Sequence, residues 1–287
     1  MCIRDSFYAD DEMIITISHM GYIKRTPLSE FRAQNRGGVG SRGSNTREED
    51  FIEYIYPASM HNNLLFFTQK GLVYKMKVYE LPEGAKNTKG RAIQNLLNIE
   101  PGDTVNAFIR IKNLEDAEFT GSHNLIFATR LGVIKKTSLA EYARINIKGK
   151  KAIVLRDDDR LIGVELTDGN CEILMANRNG RAIRFNESTV RTMGRVATGV
   201  RGMKLDGGND EVIGMICMHP DDNHNVMVVS ENGYGKRSLL DDYRITNRGG
   251  KGVKTMNVTE KTGTLVAIKS VSDENDLVII NLSLIHI

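Results

Sequence analysis

The sequence predicts an all-β protein, a propeller with about five complete blades and the start of a sixth. Three observations support this fold class. A strand–turn–strand pattern recurs along the chain, the apolar runs are 4 to 8 residues long and end at Gly, Asn or Asp, and no 3.6-residue period persists for the length of a helix. A lone small sheet cannot bury both of its faces, whereas sheets stacked around an axis can.

Each repeat begins with an apolar strand, a turn that contains glycine, and a second strand that ends in basic residues. The turn glycines lie 48 to 61 residues apart, at Gly21, Gly71, Gly132, Gly180 and Gly233. A second loop, rich in glycine and basic residues, follows later in each copy, and further strand-like runs come after it. We expect the four strands of one repeat to form one antiparallel sheet.

The repeats define the predicted domain organisation. A single domain over residues 7–281 would contain repeats that start near residues 14, 64, 125, 172, 226 and 276. Residues 1–6 and 282–287 match neither the repeat nor each other, and we interpret them as non-native flanks.

Composition narrows the class of protein. Of the 287 residues, 40% are hydrophobic and 26% are charged, which is typical of a globular domain. No apolar run approaches the roughly 18 to 20 residues of a membrane helix, and the first residues lack the apolar core of a signal peptide. Three scattered cysteines, at positions 2, 171 and 217, exclude a disulfide framework and fit a reducing compartment. We expect a cytoplasmic protein.

Catalytic motifs are weak in this sequence. Residues 38–43 fit the GxGxxG pattern, but no apolar strand precedes them and no helical pattern follows, as dinucleotide binding requires. The GxxxxGK[ST] pattern of ATP-binding loops is absent from the sequence. We expect no catalytic residues in this chain.

Two groups of residues raise the question of a metal site. Cys217, His219 and His224 lie close in sequence, but zinc usually takes four ligands at recognisable spacing. We interpret them as a buried thiol beside a solvated loop. The acidic run Asp157–Asp159 could bind magnesium, but we interpret it as a charged turn between blades. The sequence therefore predicts neither a metal site nor a cofactor.

The basic residues recur in register with the repeat. Net charge is only +3, from 39 Lys and Arg against 36 Asp and Glu, so distribution matters more than total. Equivalent positions of a propeller fall at equivalent places on its rim, which predicts a basic band suited to DNA phosphates. The band comprises Lys24, Arg25, Arg42, Lys75, Lys77, Lys135, Lys136, Lys150, Arg181, Arg184, Lys236, Arg237, Arg248 and Lys251. Further second-loop bases are Arg36, Lys89, Arg91, Lys148, Lys151, Arg195 and Arg201.

One loop carries a more specific motif. Residues 34–40 read Gln34-Asn35-Arg36-Gly37-Gly38-Val39-Gly40, and glycines there can present backbone N–H groups to a phosphate. With the repeat, this stretch resembles the C-terminal domain of the DNA gyrase A protein, whose box has the form Gln-Arg-Arg-Gly-Gly-Arg-Gly. Asn35 and Val39 replace basic residues of that box. A box-like echo stands at residues 247–252.

The resemblance implies a six-bladed β-pinwheel that wraps double-stranded DNA around its basic perimeter. It implies that the partners are the rest of gyrase A and the gyrase B protein, in an A2B2 complex. It also implies that the holoenzyme, an ATP-hydrolysing DNA topoisomerase (an isomerase), introduces negative supercoils. ATP and Mg²⁺ would act in other parts of that enzyme, in the bacterial cytoplasm at the nucleoid.

Two alternatives stay open at this point. The C-terminal domain of the topoisomerase IV A protein has similar blades without a clear box. A propeller that serves protein recognition is disfavoured, because the sequence contains no tryptophan and that class leaves the basic register unexplained. Steep salt dependence of DNA binding would separate the DNA-binding interpretations from the protein-recognition one.

Overall fold

Five antiparallel sheets make up the protein in a computed structural model that describes residues 7–31, 50–145 and 148–273. Strands are numbered along the chain. Their bounds are β1 (Glu12–Ser18), β2 (Tyr22–Pro27), β3 (Ile52–Ser59), β4 (Asn63–Thr68), β5 (Leu72–Lys77), β6 (Arg91–Ala92), β7 (Val105–Ile111), β8 (Asn124–Thr129), β9 (Val133–Ser138), β10 (Lys150–Lys151), β11 (Leu161–Thr167), β12 (Glu172–Asn177), β13 (Arg181–Asn186), β14 (Val200–Arg201), β15 (Val212–Met218), β16 (Asn225–Ser230), β17 (Gly235–Leu239), β18 (Val253–Lys254) and β19 (Leu265–Val271).

Each sheet is one blade of a β-propeller, which confirms the all-β fold with five blades. The strand orders of blades 1 to 5 are β3-β1-β2-β6, β7-β4-β5-β10, β11-β8-β9-β14, β15-β12-β13-β18 and β19-β16-β17. Strands β7, β11, β15 and β19 contact one another in succession, so one edge of each blade lies toward the axis and the other toward the perimeter. The predicted start of a sixth blade, near residue 276, lies outside the described residues.

The outermost strand of blades 1 to 4 comes from the following repeat. Strand β6 belongs to the second repeat, yet it pairs with Tyr22 and Ile23 of blade 1. The same exchange joins β10 to blade 2, β14 to blade 3 and β18 to blade 4. The expectation that one repeat forms one whole sheet is therefore wrong for the fourth strand, because a sequence pattern reveals where strands occur but not which strands pair.

The core lies between neighbouring blades rather than within one blade. Successive side chains of a strand point to opposite faces, so Leu64 and Phe66 of β4 pack toward blade 1 while Leu65 and Phe67 pack toward blade 3. All four are buried. Burial on both faces explains why this strand reads as a continuous apolar run, and each such side chain contributes about 1.5–3 kcal/mol.

Helical structure contributes little to the described chain. Helix α1 (Ala117–Ser122) is six residues long, and its N-cap is Asp116, whose carboxylate accepts hydrogen bonds from the backbone N–H groups of Glu118 and Phe119. Short 3-10 turns follow the second strand of each repeat. No helix in the described ranges has the length and apolar character needed to cross a membrane.

In blades 1 to 4, the basic residue four positions after the turn glycine joins its blade to the next repeat. Its side chain donates to backbone carbonyls in or beside the next repeat's 3-10 turn. The bonds run from Arg25 Nε to Leu81 O (2.9 Å), Lys75 Nζ to Ala143 O (3.3 Å), Lys136 Nζ to Glu187 O (3.3 Å), and Arg184 Nη1 to Leu240 O (2.8 Å) and Tyr243 O (3.0 Å). We call these four residues the inter-blade clasp.

Arg184 is the best-connected member of the inter-blade clasp. Besides the two carbonyls, its Nε donates to Glu172 Oε2 at 2.7 Å, and both side chains are over 90% buried. The corresponding residue of blade 5, Arg237, is 42% exposed and pairs with Asp273 at 2.6 Å. The equivalent arginine is therefore buried in blade 4 (Arg184) and partly exposed in blade 5 (Arg237).

Replacing Arg184 with Met should destabilise the protein strongly. The change leaves the buried Glu172 carboxylate and two carbonyls without their donor, and such losses cost about 3–5 kcal/mol. The control Arg237→Met should cost less than about 1 kcal/mol, since its ion pair is exposed. Urea unfolding would measure both, and equal losses would contradict the proposed role of the inter-blade clasp.

Candidate nucleic-acid interface

Each outermost strand of blades 1 to 4 presents an exposed basic side chain at the perimeter. These four residues, the edge bases, are Arg91, Lys151, Arg201 and Lys254. All four strands pair with the first two residues of the blade's second strand. Lys151, Arg201 and Lys254 lie opposite the first of these two residues, whereas Arg91 lies opposite the second, so its register is offset by one residue.

The edge bases have their charges available to a ligand. None of the four forms an ion pair with a carboxylate among residues 7–31, 50–145 and 148–273, and their side chains make no hydrogen bond within those ranges. Because the blades repeat around an axis, the result is a series of cations along the rim. A polyanion that follows the perimeter would meet one at each of blades 1 to 4.

A glycine beside each edge strand lets the chain lie against the neighbouring blade. Gly252 precedes β18 with φ +73°, a conformation that residues with a side chain rarely adopt. A Cβ at this position would lie 2.2 Å from the carbonyl oxygen of Ala182 in β13. The second-loop glycine is therefore needed for close approach of two backbones, irrespective of any ligand.

Three predicted rim residues at the edge of blade 4 are tied to neighbouring groups. Lys251 and Arg181 both pair with Asp206, and the hydrogen bond from Lys251 holds the pKa of the Asp206 carboxyl below its usual range. Arg248 donates to Thr189 O at 3.0 Å and to Arg201 O at 3.1 Å. These residues lie at the edge of blade 4 near Arg201, where they add positive charge while fixing the loop.

Five of the predicted rim residues lie inside the fold. Their exposed fractions are 8% or less, and they are Lys24, Arg25, Lys135, Lys136 and Arg184. Lys135 Nζ donates to the carbonyl oxygens of Ala152 and Arg195, both at 2.6 Å, and burial lowers its pKa to about 8. Lys24 Nζ likewise donates to Ala85 O and Lys86 O, and burial lowers its pKa. These buried bases of the second strands therefore stabilise the fold through hydrogen bonds to backbone carbonyls.

The remaining predicted bases differ in exposure. Lys75, Lys77 and Lys150 are half-buried, and each donates to a backbone carbonyl: Ala143 O, His61 O and Arg144 O, respectively. Lys236 and Arg237 of blade 5 are exposed. No fourth strand pairs with β17 in the part of the chain that the structure describes, which is why their position is uncovered there.

The most specific predicted site lies outside the described residues. This holds for the whole box, Gln34, Asn35, Arg36, Gly37, Gly38, Val39 and Gly40, as well as for Arg42 and the GxGxxG stretch.

Among the edge bases, the sequence pattern singles out three but misses Lys254. The signal that would have found it is its distance of two residues from the second-loop glycine, Gly252, which matches the spacing of Lys151 from Gly149 and of Arg201 from Gly199.

Cys217 and the acidic run Asp157–Asp159, whose sequence patterns raised the question of metal binding, lie in different environments. Cys217 lies in β15, packed against the core between blades 3 and 4, and burial raises the pKa of its thiol. In the acidic run, Asp159 Oδ1 accepts from the N–H of Leu131 at 2.9 Å, across the β8–β9 turn. This contact stabilises a turn of blade 3, as an inter-blade turn would.

Comparison with known protein families gives a match over most of the chain. A family model described as "DNA gyrase C-terminal domain, beta-propeller" matches five segments, which are residues 12–59, 62–112, 123–168, 172–217 and 224–272. Each segment contains the two central strands of one blade and all or nearly all of the inner strand that pairs with the first of them.

Similar proteins and structures belong to bacterial topoisomerases. The DNA gyrase A protein of Staphylococcus aureus strain NCTC 8325 / PS 47 is 47% identical over 271 residues, covering 94% of this chain and 30% of that protein, and the protein from strain COL matches equally. The chain thus spans about 30% of the length of these curated relatives. A crystal structure of a DNA topoisomerase IV C-terminal domain superposes with a TM-score of 0.76 at 26% identity, covering 92% of this chain and 79% of that one. A DNA gyrase A C-terminal domain gives 0.71 at 25% identity, covering 91% and 83%.

Replacing Gly252 with Ala should detach the edge of blade 4. The added Cβ would press on the Ala182 carbonyl, and overpacking of this kind costs about 1–3 kcal/mol in addition to the strain of φ +73°. The control Gly233→Ala, at φ +80° with no atom within 4 Å, carries only the backbone strain of about 1–2 kcal/mol. Urea unfolding and hydrogen exchange at residues 253–254 would measure the difference, and equal behaviour of the two variants would contradict it.

Proposed function

Because the chain belongs to the DNA gyrase C-terminal domain family, we propose that it binds double-stranded DNA and wraps it around the propeller perimeter. The observation that carries the proposal is the set of edge bases: within the described residues, the outermost strand of each of four successive blades carries one exposed basic side chain that forms no ion pair. Such cations meet phosphates and not base edges, so binding is largely indifferent to sequence and strongly dependent on salt.

Wrapping requires contacts spread over the rim. Bending 20–30 base pairs by 40–90° costs on the order of 1–6 kcal/mol, and this cost must be offset by phosphate contacts along the curved path. Cations at regular intervals supply such contacts, as backbone contacts do in other wrapped complexes. The box at residues 34–40 and Arg42 would add a further contact in the first repeat.

The wrapping domain would act as part of a larger enzyme. We infer that its partners are the remainder of gyrase A and the gyrase B protein in an A2B2 complex, in a bacterial cytoplasm at the nucleoid. In that enzyme the wrapped DNA would be presented for strand passage, and ATP hydrolysis would drive negative supercoiling. The fragment itself would bind and bend DNA without cleaving it, and ATP and Mg²⁺ would act elsewhere.

Blade 5 supports the proposal of a sixth blade. Blades 1 to 4 each receive their outermost strand from the following repeat, while β17 pairs with β16 alone within the described residues. A sixth repeat, starting near residue 276, would supply the missing strand and cover Lys236 and Arg237. The six-bladed pinwheel would then place Arg237 in the position of the inter-blade clasp.

Neutralising the four edge bases should weaken DNA binding and flatten its salt dependence. In a variant with Gln at positions 91, 151, 201 and 254, the slope of log K against log[salt] should fall in magnitude by about 3 to 4, since each lost phosphate contact removes about 0.9. The control replaces four exposed lysines outside the edge strands, Lys70, Lys112, Lys261 and Lys269, with the same change in net charge. Titrations of duplex DNA at several salt concentrations would measure both slopes, and similar slopes would refute a role for the edge bases.

Changing the box should abolish wrapping before it abolishes binding. Arg36→Ala combined with Gly38→Leu removes a cation and blocks close approach of the backbone to a phosphate. We expect the positive linking-number shift, read after ligation of nicked circular DNA, to disappear while binding at moderate salt persists. The control carries Arg248→Ala and Gly250→Leu in the box-like echo and should retain the shift. Binding without any shift by the unchanged chain would favour the topoisomerase IV alternative.

A further inference from the structure

Three metal-ligating side chains of different types meet at one end of blade 4. Cys171 Sγ lies 3.7 Å from Asp168 Oδ1 and 3.7 Å from His219 Nε2, and His219 Nε2 lies 3.7 Å from Asp168 Oδ1. The three donor atoms thus form a nearly equilateral triangle. They lie at the end of the β12–β13 hairpin opposite to the one where edge strand β18 pairs, so the DNA-binding proposal does not use them.

Strand pairing and a buried carboxylate hold this triangle in place. Glu172 of β12 pairs with Met218 of β15, so Cys171 and His219 stand opposite each other just beyond the ladder. Asp168 lies in the turn that leads into β12. Both ends of that turn are tied to the fully buried Glu187, whose carboxylate accepts from Thr167 Oγ1 at 2.9 Å and from the N–H of Cys171 at 3.3 Å.

We propose that Asp168, Cys171 and His219 bind a divalent transition-metal cation of the Zn²⁺ type, with water as the fourth ligand. Zinc bonds to sulfur, nitrogen and oxygen are about 2.0–2.3 Å long, which makes the edges of a tetrahedral site roughly 3.3–3.7 Å. The donor separations of 3.7 Å are therefore close to those edges before any ion has drawn the ligands in.

The donor set selects the class of ion. Thiolate and imidazole are ligands for zinc and neighbouring transition metals, whereas magnesium and calcium prefer oxygen alone. Cys171 is 4% exposed and forms the floor of the site, while the side chains of Asp168 and His219 are 36% and 45% exposed and open it to solvent. On binding, the Cys171 thiol loses its proton to solvent and the thiolate sulfur bonds to the ion. The ion would link the turn after blade 3 to the inner strand of blade 4.

The test is titration of the full metal-free chain with Co²⁺ and Zn²⁺ under reducing conditions. We expect one equivalent of Co²⁺ to give a thiolate-to-cobalt charge-transfer band that Zn²⁺ displaces, and Zn²⁺ to raise the unfolding temperature. Cys171→Ser should lose the band and His219→Gln should weaken binding by at least about tenfold, because changes to groups that merely hydrogen-bond a ligand already cost about 10–100-fold.

The matched control is Cys217→Ser, which removes the other described thiol from a core position in β15 and should leave band, stoichiometry and affinity unchanged. Circular dichroism would establish that each variant is folded. If Cys171→Ser does not fold, His219→Gln and Asp168→Asn decide the matter, since both side chains are partly exposed. Absence of stoichiometric binding by the unchanged chain, or unchanged affinity in these variants, would overturn the proposal.

Discussion

The hydrogen bonds of the inter-blade clasp are the constraint on which the rest of the architecture depends. A single blade cannot bury its two apolar faces, and the cores therefore lie between blades. A buried base must find acceptors, and in blades 1, 3 and 4 it finds them in the carbonyls of the following repeat. The same interaction thus satisfies a buried charge and fixes the angle at which the next repeat begins.

The exchange of strands between repeats determines which residues lie at the perimeter. Because the second loop of repeats 2 to 5 runs back across the preceding blade, its short strand becomes the outermost strand there. Within the described residues that strand has one neighbour only, and one of its two residues is exposed while the other is half-buried. The edge bases therefore reach the perimeter, whereas five bases of the second strands, Lys24, Arg25, Lys135, Lys136 and Arg184, are buried. The edge bases and the buried bases both follow the repeat of the chain, but their roles differ. The edge bases lie on the outermost strand and are exposed, whereas the buried bases lie on the second strand of a blade and bond within the fold.

The edge bases and the triangle of Asp168, Cys171 and His219 depend on different features of the same fold. The edge bases rely on exposure and on spacing around the axis, and they need no precise local geometry to attract phosphates. The triangle relies instead on local geometry, which the β12–β15 pairing and the buried Glu187 impose. A bound ion there would stiffen the junction of blades 3 and 4 without changing the charge of the perimeter.

The sequence by itself determined the all-β class, the number of described blades and the periodic placement of bases, because apolar alternation, turn glycines and spacing are local properties. It did not determine which bases are exposed: Lys24 lies inside the fold, where its Nζ donates to Ala85 O and Lys86 O, whereas Arg91 is exposed on an edge strand. Nor could it separate Cys171 from Cys217 as the partner of His219, because Cys171 and His219 are 48 positions apart and strand pairing brings them together. Tertiary structure decided these questions because burial and cross-strand proximity depend on the partner of each strand, which short-range pattern does not encode.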